Sequence, residues 1–139
     1  MGNMKRLAVI FGIVAFFCGV QAVFGQDQNI SIRNIGKLIK ASPRKGLWTI
    51  KQTDAIRINL VQMSGEMKMH KHPDAEHSIL VYEGKIDALI GGKRFSLKKG
   101  DFVSIPKNVP HKYFVRSKRA LIISMDAPYY DPKKTVMIE

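Results

Sequence analysis

A chain of 139 residues has room for one domain around one core, and not for two. Its composition, 45% hydrophobic and 24% charged, is that of a globular protein without low-complexity tracts. The formal charge of +12 is spread from Arg33 to Lys134 once Lys5 and Arg6 are set aside, with no aromatic-basic cluster, so no nucleic-acid partner is expected. Such a basic surface favours solubility and draws small anions. Cys18, the only cysteine, lies in an apolar N-terminal run, so disulfides and thiolate chemistry are excluded from the mature fold.

Residues 1–25 read as a secretory signal peptide. Lys5 and Arg6 form the positive start, Leu7 to Val20 the apolar stretch, and Val23 and Gly25 suit cleavage before Gln26. The run is short for a membrane span of about 20 residues, and Gln21 interrupts it. The expectation is a periplasmic or secreted protein with no membrane attachment after cleavage. Residues 26–46 form an N-terminal extension. Within it Ile32, Ile35, Leu38 and Ile39 recur at helical spacing and predict a short helix covering one side of the domain. Asn34 or Ser31 suits its start and Ser42-Pro43 its end.

From Leu47 the pattern turns to strands. Leu47–Ile50, Ile56–Val61, an alternating Met67–His72, His77–Tyr82 and Lys85–Ile90 come first. Arg94–Leu97, Phe102–Ile105, Lys112–Val115 and Ala120–Met125 follow, separated by glycine turns such as Gly91-Gly92. Short strands at regular spacing, with no helices between them, predict an all-β sandwich or barrel over residues 47–127. Residues 128–139 are expected to run over its surface as a tail.

The chemistry lies in four histidines. His70 and His72 are two apart, so on a strand they share a face. His77 shares a face with Ile79 and Val81, and His111 with Tyr113 and Val115. All four imidazoles are therefore expected to enter one barrel interior and meet one divalent metal ion.

These segments resemble the cupin family. Gly65, His70, His72 and Gly84 match its first motif, and Gly100, Pro106 and His111 its second, in the right order. Two departures bear on the site. Asn108 stands where the family has Gly, a substitution that a left-handed turn tolerates. Counting back over the six residues before Gly84, where the family has a carboxylate, lands on His77, and Glu76 sits one place earlier. A one-residue shift on a strand reverses the face, which makes His77 the ligand and Glu76 a rim group. The opposite choice stays open if the turn is irregular.

The resemblance implies a double-stranded β-helix, the jelly-roll barrel of cupins, with a short N-terminal helix. It also implies a metal-dependent enzyme, oxygenase- or isomerase-like, on a small polar or anionic molecule. A non-catalytic module that binds metal, sugar or another small ligand is the alternative. A homodimer is a further implication. Neutral imidazoles leave a divalent ion its full charge and suit Fe, Zn, Ni or Cu, with Mn also admitted by the family. Affinity should fall in mild acid, because free imidazole protonates near pH 6.5. Glu76 and Tyr113 are the candidate catalytic groups, as base and as hydrogen-bonding acid.

Overall fold

The computed structural model describes residues 31–41 and 46–139. Asn34 starts the helix α1, Ile35–Ala41, by accepting the Lys37 N–H on its side-chain oxygen at 2.9 Å. Ile32 precedes the helix and is 93% exposed, so it takes no part in packing. Residues 1–25, expected to be a signal peptide, and the expected helix stop at Ser42-Pro43 lie outside the described residues.

Ten strands follow: β1 Leu47–Gln52, β2 Arg57–Met63, β3 His70–Lys71, β4 Glu76–Glu83, β5 Lys85–Ile90, β6 Lys93–Lys98, β7 Phe102–Ile105, β8 His111–Val115, β9 Ala120–Ala127 and β10 Val136–Met137. They form two five-stranded antiparallel sheets, ordered β1-β2-β9-β4-β7 and β10-β3-β8-β5-β6. This is the jelly-roll arrangement of a cupin-type barrel. The chain alternates between the sheets, so residues far apart in sequence become cross-strand neighbours.

The core is where the inward positions of both sheets meet. Ile79 and Val81 on β4, Ile86 and Ala88 on β5, Tyr113 on β8 and Ile122 on β9 are all buried in one cluster. Period-two alternation explains it: on β4, His77, Ile79 and Val81 are buried while Glu76 and Tyr82 are exposed. The outer face of the first sheet carries a second cluster of Trp48, Leu60 and Leu121. Ile35, Leu38 and Ile39 of α1 pack against it. The helix thus covers one side of the barrel, and Trp48 belongs to that packing rather than to the interior.

Two turns hold the motif residues in place. Gly84 has φ +91, and a Cβ there would lie 2.5 Å from the Arg119 carbonyl oxygen, so only glycine fits. Asn108 has φ 66, the left-handed conformation its motif position calls for. Its N–H donates to the His72 carbonyl at 2.8 Å, which ties the second motif to the first.

The structure departs from the expected strand at residues 67–72. Only His70 and Lys71 are laddered, and His72 lies just beyond them. Single bonds pin the rest: Met67 N–H donates to the Tyr113 carbonyl at 2.9 Å, and Ile138 N–H to that of Met69 at 3.0 Å. The C-terminal tail also differs from a surface coil. Val136 and Met137 pair with Lys71 and His70, and Tyr130 is 2% exposed. No helix among the described residues is long and apolar enough to cross a membrane.

Candidate metal centre

Two cross-strand rungs face each other across the barrel. On the second sheet His70 and His111 are direct partners between β3 and β8, with ring centroids 4.4 Å apart. On the first sheet His77 and Asp126 are direct partners between β4 and β9. The His77 ring stacks on that of His111 at 5.1 Å, which joins the rungs. His72 closes the group from the loop, 4.6 Å from His77 and 5.2 Å from both His70 and His111. All four are at most 9% exposed. Donor nitrogens of His70, His72 and His111 lie within 4.8 Å of one another, and His72, His77 and Asp126 form a second such group.

Hydrogen bonds fix which nitrogen each ring offers. His70 Nδ1–H donates to the Lys68 carbonyl at 2.8 Å, and His111 Nδ1–H to that of Val109 at 2.9 Å. His77 Nδ1–H donates to Asp126 Oδ1 at 2.7 Å. A carbonyl or carboxylate only accepts, so Nδ1 carries a proton in each ring and Nε2 is the nitrogen left to face a metal. This is how a metal-ligating histidine is held by its neighbours. His111 Nε2 and both nitrogens of His72 are buried without any partner. Unpaired buried polar atoms cost about 1–3 kcal/mol each, and a divalent ion would satisfy His111 Nε2 together with one of the two His72 nitrogens. The donor set therefore fits a transition metal.

Burial also keeps three of the rings neutral. Desolvation, aided by the neighbouring imidazoles, lowers the His111 pKa to about 3 and that of His72 to about 4. Burial lowers that of His70 as well. The rings are ready to ligate without first losing a proton.

The cavity beside the cluster has a volume of about 180 Å³. Tyr113 lines it, 1% exposed, and its buried hydroxyl has no partner. Burial raises its pKa, so it stays a neutral O–H donor. Glu76, by contrast, is not brought to the site. It lies exposed on the outer side of β4 and accepts a hydrogen bond from the Ser104 hydroxyl. The pleat that turns His77 inward turns Glu76 outward, which corrects its expected place as a base beside the metal.

Arg57, Asp126 and Tyr130 are among the lining residues that the sequence did not mark as part of the site. Asp126 had a signal. Ser124 and Asp126 continue the inward series Ala120, Ile122 of an apolar strand, and polar residues at inward positions need partners. Tyr130, whose ring meets that of His72 edge-on at 4.9 Å, had none in the local pattern. Asp126→Ala should lower metal affinity about 10- to 100-fold without removing a histidine, because His77 loses the group that orients it. Competition against a chelator of known affinity measures this.

Fold and site together define a cupin-type barrel with a histidine cluster suited to a metal ion. Residues 59–125 match the family model described as Cupin domain, and with the fold this supports assignment to the cupin superfamily. The chain is 38% identical over 56 residues to quercetin 2,3-dioxygenase of Bacillus subtilis, a match covering 40% of this chain and 17% of that enzyme. It is 28% identical over 116 residues to an uncharacterized protein of Aquifex aeolicus, covering 78% of this chain and 93% of the other. A cupin-2 domain protein of Shewanella frigidimarina has a similar structure, with TM-score 0.62, 22% identity, and coverage of 69% of this chain and 94% of that one.

Proposed function

We propose that this chain is an exported cupin that holds one divalent transition metal through His70, His72, His77 and His111. We further propose that it acts as a metal-dependent enzyme, of oxygenase or isomerase type, on a small polar or anionic molecule. The observation that carries the reading is His72, whose two ring nitrogens are buried and unpaired among three rings already oriented by their Nδ1 bonds. A bound ion supplies Lewis-acid polarisation of a ligand oxygen. Tyr113 offers a neutral O–H to the same cavity. The similarity to the dioxygenase supports the oxygenase type over a short span only. The cavity, at about 180 Å³, lies below the roughly 300–1,000 Å³ of sites for drug-sized ligands, so the molecule it takes is small.

One observation favours the second reading, a binding module without catalysis. Among the described residues lining the cavity, the one carboxylate is Asp126, and it is engaged with His77. No free carboxylate stands beside the site among the described residues. Elemental analysis of the purified protein tests the metal, and turnover against stoichiometric binding separates the two readings. In the same assay Glu76→Ala should leave metal content unchanged, and His77→Ala should lower it. The reverse pattern would show that the ligand position belongs to Glu76.

A further inference from the structure

We propose that Arg57 is the carboxylate anchor of the cavity, and that its ligand is a small carboxylic acid with an adjacent oxygen donor, such as a hydroxy or keto oxygen. The adjacent oxygen's place at the metal rests on the reading above; the carboxylate's place at Arg57 does not.

Arg57 opens β2, directly across from Asp126 on β9. Its side chain lines the same cavity as His70, His72 and His77. Its Nε is buried and has no hydrogen-bond partner. The guanidinium stays charged at any physiological pH, so this donor cannot be silenced by losing its proton. Two surface arginines of the same chain do have carboxylate partners: Arg116 pairs with Asp87 at 2.6 Å and Arg119 with Glu83 at 2.9 Å. Arg57 forms no ion pair among the described residues. The carboxylate across the ladder, Asp126, is turned to His77 instead.

A buried, unpaired N–H on a fixed cation, facing a cavity, calls for an anionic acceptor. The planar fork of a guanidinium matches a carboxylate in two parallel hydrogen bonds, which a sugar hydroxyl cannot offer. Charge points the same way. Within the cavity lining, the charges of Arg57 and Asp126 cancel. A divalent ion would then leave the site with a net positive charge, which an acid with a second oxygen donor can meet. The cavity volume of about 180 Å³ restricts that acid to a few carbons.

The test uses glycolate and glycolamide, which share size and hydroxyl and differ in the carboxylate. Each is titrated calorimetrically into wild type, Arg57→Gln and Arg57→Lys, all loaded with nickel. Metal content and far-ultraviolet circular dichroism are measured on the same samples. Wild type should prefer glycolate by about 10- to 100-fold, the weight of a charge-assisted pair. Arg57→Gln should lose most of that preference at unchanged metal content, and Arg57→Lys should keep part of it. Equal binding of the two probes by wild type, no glycolate binding at millimolar concentration, or an unchanged preference in Arg57→Gln overturns the proposal. If Arg57→Gln fails to fold, the wild-type preference and its reduction in Arg57→Lys decide. A protein that takes up no nickel overturns the metal reading instead. Glycolate titrated into metal-free wild type and Arg57→Lys then still decides Arg57, supported by weaker binding to the variant and overturned by equal binding.

Discussion

His111→Ala should yield a folded protein that retains no metal after dialysis, where wild type retains about one ion per chain. His111 is 1% exposed and sits at the junction of the site, paired with His70 across β3 and β8 and stacked on His77 from the other sheet. Its loss breaks up the three-histidine group of His70, His72 and His111 and takes away the ring that joins the two rungs, so the three imidazoles left no longer close around one point. The stability readout follows by mass action. An ion at 1,000 times its Kd stabilises the folded state by about 4 kcal/mol, and none of this should remain in the variant. The variant's own metal-free stability should change less. The void left by the ring is destabilising, but the unpaired Nε2 is removed with it. Thermal unfolding with and without added metal measures the difference. A variant whose melting temperature still rises with metal as in wild type would remove His111 from the site.

Acid should destabilise the metal-free protein strongly, over a window set by the buried rings. In the unfolded chain each imidazole protonates near its ordinary pKa of about 6.5. In the folded chain burial holds His72 to about 4 and His111 to about 3. Folded pKa values below the unfolded ones mean that the unfolded state takes up protons first. Full stability is therefore present above about pH 6.5 and is lost as pH falls toward 3. Each pKa unit corresponds to about 1.4 kcal/mol, so the fall from about 6.5 to about 4 and about 3 makes the two rings together account for a loss on the order of 8 kcal/mol once the pH has reached 3. That is a large share of the roughly 5–15 kcal/mol that keeps a domain folded. Urea unfolding of the chelator-treated protein at pH 7, 5 and 4 checks it, and a flat profile would mean that the rings are solvated. The same lowered values revise the expected acid sensitivity of metal binding. Protons compete poorly for rings of such low basicity, so release should fall well below pH 6.5 rather than at its threshold.

The architecture was legible because it is written in period two. Lys85–Ile90 and Phe102–Ile105 appear at the expected bounds, and the inward series His77, Ile79, Val81 follows from alternation alone. The four histidines were legible because each stands at the start of a strand or beside one, at a motif position. Asp126 was legible only as an inward polar residue, because its partner depends on β9 lying between β2 and β4, a pairing of strands distant in sequence. Arg57 has the same origin: it reads locally as one more basic residue at a strand start. Tyr130 belongs to a tail with weak local pattern, and only the pairing of β10 with β3 brings it over His72. What alternation cannot convey is which strands become neighbours, and the supporting residues of this site come from those long-range choices.

The backbone holds the imidazoles unevenly. His77 and His111 ride on strands with several registered partners, whereas His70 lies on a two-residue strand and His72 lies beyond its end. Half of the constellation is thus mounted on a corner that hydrogen bonding barely stitches. A cation bridging that corner to the opposite sheet would act as a rivet, so seating the cation and stiffening the corner become a single event. Whatever governs metal supply in the protein's surroundings would then also govern how rigid this end of the fold is.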